Sequence, residues 1–193
     1  MKKVMHGIAA GTAALTVLFA ISCQVMERLQ SVYVSLAITF GTICYHFVMR
    51  LLVGYVVSAW AKRRPLNEKC KWFASRKYEK TLYRRLNVKR WKGNVPTYAP
   101  EKFSLEYHTP EEILQEMCVA EVVHEIIVLL SFVPLTFSLI FGEFPVFLIT
   151  SMLAACADCV FVILQRYNRP RMEAVIKRMR RQKNAITKEI HSI

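Results

Sequence analysis

The chain has 193 residues, enough for one domain with one sizeable core. Hydrophobic residues make up 54% of it, and the polar remainder is segregated in blocks, a pattern that points away from a soluble domain and toward a polytopic membrane protein. The net charge of +13 raises nucleic acid as a partner, but no glycine-aromatic binding motif accompanies the charge.

Four apolar stretches lie at about 7–25, 32–60, 117–141 and 145–164. A bilayer core of about 30 Å takes about 20 helical residues, so each is long enough to span. Lys2 and Lys3 precede the first stretch, and Cys23 follows small residues in "LFAISC". That pattern resembles a cleaved leader, yet the run is nearly of full span length and a retained first helix is expected.

Of the 27 Lys and Arg residues, 25 are Lys2, Lys3 or lie within 61–116 and 165–193. The two short connections, "ERLQS" at 27–31 and "GEFP" at 142–145, hold only Arg28. The positive-inside rule then puts both termini and the central segment on the cytoplasmic side, facing anionic headgroups of membrane lipids. The expected fold is all-α and integral to the membrane: a single domain over 1–193, with four transmembrane helices in two hairpins. A basic cytoplasmic amphipathic insert is expected over about 61–116, and a basic cytoplasmic tail over about 165–193.

Within the insert, "LNEKCKWFASRKYEKTLYRRLNVKRW" spaces Leu66, Trp72, Phe73, Leu82, Tyr83 and Leu86 among basic residues. It predicts one or two amphipathic helices, either in the membrane interface or in a small cytoplasmic cap. Gly93, Pro96 and Pro100 predict an irregular loop after it. Thr109, Pro110 and Glu112 then form a capping-box signature, so a helix should start there and run into the third span.

Cys23, Cys44, Cys118, Cys156 and Cys159 fall in or beside apolar spans and Cys70 in the insert, which is no disulfide framework. "CADC" at 156–159 has redox spacing, but hydrocarbon disfavours a thiolate, so small packing residues are expected there.

Ionisable groups at membrane depth are expensive and mark functional sites by default. Glu121, His124 and Glu125 stand at i, i+3 and i+4 and share a helical face; His46 and Arg50 share a face of the second span. Asp158 and Gln165 lie two turns apart in the fourth. Helical rise puts His124 and Asp158 about 10 Å below the cytoplasmic boundary, Arg50 about 15 Å and His46 about 20 Å, so a common polar pocket open to the cytoplasm is expected. The same residues also fit a charge-balanced packing cluster, with Arg50 paired to Glu121 or Asp158 and the histidines as hydrogen-bonded links. These acids and bases exceed what packing needs.

"VVHEII" fails as a zinc-protease helix because Val128 stands where a second histidine would be needed, no metal site is expected, and no G-x-S-x-G elbow occurs. A histidine flanked by carboxylates suits general-base catalysis, with Glu121 or Glu125 orienting His124 while its other nitrogen takes a proton from a hydroxyl. Arg166, Tyr167, Asn168, Arg169 and Arg171 close the fourth span and fit either an anion-binding cluster or a positive stop signal.

"LYRRLNVKRWKGNVPTY", "MCVAEVVHEIIVLLSFVP" and "QRYNRPRM" resemble the glycosyl-4,4'-diaponeurosporenoate acyltransferase family of small bacterial membrane proteins. "YHFVMRLLVGY" is similar to the form found in relatives from anaerobic Gram-positive bacteria. The likeness runs from about residue 40 to 172. It implies an enzyme of carotenoid biosynthesis that esterifies a sugar hydroxyl of a glycosylated carotenoid with a fatty acyl group. It also places Glu121, His124, Arg166, Tyr167, Asn168, Arg169, Trp91 and Lys92 on recurring family positions. No His-x4-Asp pattern of the glycerolipid acyltransferases is present.

Three readings stay open. The first is a membrane acyltransferase acting on an amphipathic, lipid-like or glycosylated isoprenoid acceptor, with no bound cofactor and acyl-coenzyme A or acyl carrier protein as donor. In it, Arg166 and Arg169 bind the donor's anion, and His46, Arg50, Trp91, Lys92, Asp158, Gln165, Tyr167 and Asn168 shape the substrate site. The second is a small methyltransferase of the isoprenylcysteine or phospholipid type. The third is a non-catalytic membrane assembly module.

Overall fold

The computed structural model describes residues 2–25 and 30–191 and, among them, is helical without strands. The "ERLQS" connection with Arg28 lies largely outside the described residues. The α-helices are α1 (Lys2–Val25), α2 (Gln30–Arg63), α3 (Lys77–Arg85), α4 (Val88–Trp91), α5 (Pro110–Leu130), α6 (Ser138–Phe141) and α7 (Phe144–His191), and short 3-10 turns join several of them. Four segments are long and apolar enough to cross a membrane, namely α1, α2, α5 continued through α6, and α7. The chain is thus an all-helical, multi-pass membrane protein.

Helix boundaries follow local chemistry. α5 starts at Pro110 behind a complete capping box, in which the Thr109 amide donates to Glu112 Oε2 at 2.8 Å and the Glu112 amide to Thr109 Oγ1 at 3.3 Å. Its α-helical geometry stops at Leu130, short of the expected end at 141. Pro134 disfavours helical backbone at the residue before it, and Val133–Phe137 continues as a 3-10 turn. Gly142, at φ 71°, opens the turn into α7, a conformation that costs glycine little.

The expected tail after 164 is no separate element, because α7 runs on to His191. From 171 onward it is rich in Arg and Lys and free of glycine and proline, a composition that allows helix to continue. Pro170 sits inside the helix and deprives the Arg166 carbonyl of its usual amide.

The chain divides into two compact units. One comprises the described residues up to Ala59 with Val123–Val160. Its core is Met49, Val53 and Ile127, flanked by Tyr45, Val57, Val123, Ile126 and Leu130. The Tyr45 hydroxyl donates to the Leu130 carbonyl at 2.9 Å, answering one of the acceptors that the end of α5 leaves open. Phe19 of α1 stacks on Phe40 of α2 at 5.5 Å, and the Cys44 thiol donates to the Ala9 carbonyl. Hydroxyls along these helices turn back on their own backbone: Thr12 to Ile8, Thr39 to Ser35, Thr42 to Ile38, Ser131 to Ile127 and Thr150 to Val146, each at 2.8 Å. In hydrocarbon no water would serve them. Large apolar residues such as Val17, Ile21, Leu52, Leu129 and Leu153 face outward, as they do when the solvent is lipid.

The other unit comprises Trp60–Val122 and the residues from Phe161 onward. It holds α3, α4, the first turns of α5 and the second half of α7. The expected amphipathic stretch is broken: Pro65 precedes an irregular segment, and Asn87, at φ 50°, separates α3 from α4. Phe73, Val88, Ile113, Leu114, Cys118 and Ile176 are buried, while Trp72, Tyr78, Leu82 and Leu86 stay exposed. Cys156 and Cys159, in the membrane-spanning unit, face outward and do not pack as the sequence suggested.

Candidate active site

Two polar clusters stand out, one in each unit. In the membrane-spanning unit the centre is Asp158 of α7, which is 2% exposed. A carboxylate so enclosed needs its charge answered. One oxygen, Oδ2, is ion-paired with Arg50 Nη2 of α2. The other, Oδ1, lies 2.8 Å from Nδ1 of His124 on α5. Arg50 is fixed in turn by two carbonyls: Nη1 donates to His46 at 3.0 Å and Nη2 to Ala154 at 3.1 Å.

His124 is 22% exposed at its side chain, so Asp158 orients an imidazole that still has access to its surroundings. An imidazole whose Nδ1 proton is held by a carboxylate has its basic lone pair on Nε2. Glu125, its neighbour, is half-buried. His46 is 5% exposed, and neither ring nitrogen has a hydrogen-bond partner; the same is true of the Ser151 hydroxyl. Among the described residues, no group of three or more His, Cys, Asp or Glu could hold a metal ion.

The second cluster joins α3, α5 and α7 within the other unit. Arg166 directs Nε and Nη2 at Oε1 of Glu79, at 3.0 and 2.7 Å, and Nη1 at Oε1 of Glu121, at 2.7 Å. It also reaches the carbonyls of Trp72 and Ala74, each at 3.4 Å. Arg169 donates from Nε to the other Glu121 oxygen at 3.2 Å and lies over the Phe73 ring at 5.2 Å. Glu121 is fully buried and Arg169 nearly so, and each satisfies the other.

The Tyr83 hydroxyl donates to Glu79 Oε2 at 3.0 Å, and its ring meets Tyr167 edge-on at 5.4 Å. Burial, and then the negative charge of Glu79, push the Tyr83 phenol above its ordinary pKa. Lys92 donates to Asn168 Oδ1 at 3.2 Å and lies 5.4 Å from the Tyr167 ring centre, while Arg171 stacks on the same ring at 3.5 Å. Trp91 turns its Nε1 to the Leu86 carbonyl at 2.9 Å, and Gln165 is buried.

The structure thus brings His46, Arg50, His124 and Asp158 into one unit. Glu121, Arg166, Arg169, Trp91, Lys92, Tyr167, Asn168 and Gln165 belong to the other. The carboxylate bonded to His124 is Asp158, whereas Glu121 is held by two arginines. Sequence reasoning missed Glu79 as a member of the arginine cluster. Its signal was present, since it is the one acid in "KYEKTLYRR" and stands four residues before Tyr83.

Comparison with known families matches residues 69–178, more than half of the chain, to the glycosyl-4,4'-diaponeurosporenoate acyltransferase family. The matched range contains Glu79, Glu121, His124, Asp158, Arg166 and Arg169; "YHFVMRLLVGY" of α2, with His46 and Arg50, falls outside it. No curated protein and no solved structure matches the chain. The chain belongs to the glycosyl-4,4'-diaponeurosporenoate acyltransferase family, membrane acyltransferases of carotenoid biosynthesis.

Proposed function

We propose that the chain esterifies a hydroxyl of a lipid-like or glycosylated isoprenoid acceptor, with His124 as general base. The observation that carries this reading is the 2.8 Å contact between His124 Nδ1 and Asp158, whose charge Arg50 balances. A carboxylate in this place holds the tautomer with its lone pair on Nε2 and stabilises the imidazolium once it forms. Nε2 removes the hydroxyl proton as the oxygen attacks the carbonyl carbon of an acyl thioester. The C–S bond then breaks, and the thiolate of coenzyme A or acyl carrier protein leaves with the proton from His124.

Arg166 and Arg169 act through structure in this reading. The Arg166 fork is taken up by Glu79, Glu121 and the carbonyls of Trp72 and Ala74, and Arg169 bonds Glu121 through Nε, so that α3, the Trp72–Ala74 backbone, α5 and α7 are tied into one unit. The Lys/Arg-rich segments face the cytoplasm, where the acyl donors are made; the near absence of basic residues from the two short connections supports that orientation.

Lipid extracts of cells expressing the wild-type chain, His124→Ala and Asp158→Asn at matched protein levels test the proposal. A glycolipid heavier by one fatty acyl unit is expected with the wild type and is expected to be lost with both variants. An increment of one methyl group in its place would establish a methyltransferase. Identical extracts from all three would remove the catalytic reading.

A further inference from the structure

His46 is a buried imidazole in a segment of apolar helix, with both nitrogens unsatisfied. A polar group so placed costs free energy unless something bonds to it. A neutral imidazole has one N–H donor and one acceptor nitrogen on different edges of the ring, so each takes a partner of its own, and a hydroxyl, which both donates and accepts, can serve either. A thioester carbonyl or a phosphate oxygen would serve only the N–H. One α-helical turn separates His46 from Arg50, whose Nη1 takes the His46 carbonyl, and Arg50 leads directly to Asp158 and His124. The Ser151 hydroxyl on α7 is a second buried polar group that is likewise unanswered.

An apolar hollow of about 430 Å³ lies in the same unit. It is lined by Val34, Ile38, Gly41 and Tyr45 of α2 and by Phe137 and Phe147 across from them. Tyr45 lines the hollow and also meets the His46 ring edge-on, with centres 5.5 Å apart. Val34 to Tyr45 spans about 17 Å of helix, room for a stretch of hydrocarbon chain. An acceptor lying with its apolar part in the hollow brings its hydroxylated end to His46.

We propose that His46 is the residue that hydrogen-bonds a hydroxyl of the acceptor at membrane depth, beside the base pair His124 and Asp158, with the acceptor's hydrocarbon in the hollow along α2. This rests on the acyl-transfer reading for the reaction, but the binding itself can be measured apart from turnover.

The test uses the full-length protein in detergent, a glucosylated apocarotenoid acid as acceptor and an acyl-coenzyme A as donor. His46→Phe removes both unsatisfied nitrogens at similar size. It is expected to keep or raise the melting temperature and to raise KM for the acceptor tenfold or more, leaving KM for the donor unchanged. His46→Gln, which retains a donor and an acceptor, is expected to recover part of the acceptor affinity. A folded Phe variant with wild-type acceptor KM would overturn the proposal, since the nitrogens would then have no substrate role.

Should the Phe variant fail to fold, NMR of the wild type labelled with 15N-histidine decides, with the His46 signal assigned by its loss in His46→Gln. The acceptor alone is expected to shift that signal and the acyl-coenzyme A alone is not; no shift with the acceptor would overturn the proposal. If the wild type transfers no acyl group but the acceptor still shifts His46, the reaction reading fails and the binding site stands.

Discussion

Asp158 divides its two oxygens between Arg50 and His124, so that one buried carboxylate balances a cation and orients a base. The two roles separate under mutation. Asp158→Asn leaves Arg50 with an unanswered charge, and breaking a buried pair in this way costs about 3–5 kcal/mol. Replacing both, as in Arg50→Met with Asp158→Leu, is expected to regain most of the melting temperature lost by the single change. Activity is expected to stay about 10²–10⁴-fold down, the usual loss when a general base is disabled. Thermal unfolding in detergent beside an acyl-transfer assay reads both; equal recovery of stability and activity would deny His124 its orienting partner.

The arginine cluster of the other unit is expected to fail as a structure. Glu121→Gln leaves Arg166 and Arg169 short of a shared charge in a buried place, at about 3–5 kcal/mol. Arg166→Lys is no conservative change, because one ammonium cannot serve Glu79, Glu121 and two backbone carbonyls in a planar fork. Both variants should lower the melting temperature and the level of protein recovered, with the donor KM of whatever remains folded unaltered. A changed donor KM with unaltered stability would return these arginines to the role of an anion site.

Tyr83 gives a pH signature in the same cluster. Burial and Glu79 raise its folded pKa, so the folded state keeps its proton where the unfolded state, near pH 10, loses it. The stability this group contributes is full below about pH 10 and falls as pH rises above that value. Alkaline unfolding should therefore be shallower in Tyr83→Phe than in the wild type. Parallel alkaline curves for the two proteins would contradict the assignment.

Thr109→Ala removes the side-chain half of the capping box and should cost about 1 kcal/mol. The loss should register as faster amide exchange in the first turn of α5, with catalytic rates unchanged. Wild-type exchange there would mean that tertiary contacts, and not the cap, hold the start of the helix.

The capping box was legible because its chemistry is local: three residues determine it, and the structure has both of its hydrogen bonds. The four apolar segments were legible because lipid asks only for length and apolarity. Pairings were harder. The periodicity of α5 puts Glu121, His124 and Glu125 on one face, but which carboxylate meets His124 depends on the register against it of α7, the helix that carries Asp158. Glu79 was overlooked because an amphipathic reading weighs rings and cations, whereas the buried side of α3 carries a carboxylate. The helix that carries the fourth apolar stretch runs on well past it because the hydropathy falls at Gln165 while helix propensity does not.

The most direct measurement is the rate of acyl transfer by His124→Gln and by the wild type, with equal amounts of folded protein, one acyl-coenzyme A and one glucosylated apocarotenoid acid. Ester formation is expected with the wild type, and a loss of at least about 100-fold in kcat with the variant, whose melting temperature should change little. Ester formation by His124→Gln at the wild-type rate would contradict the general-base role of His124, and the buried charges around Asp158 would then serve only to pack helices.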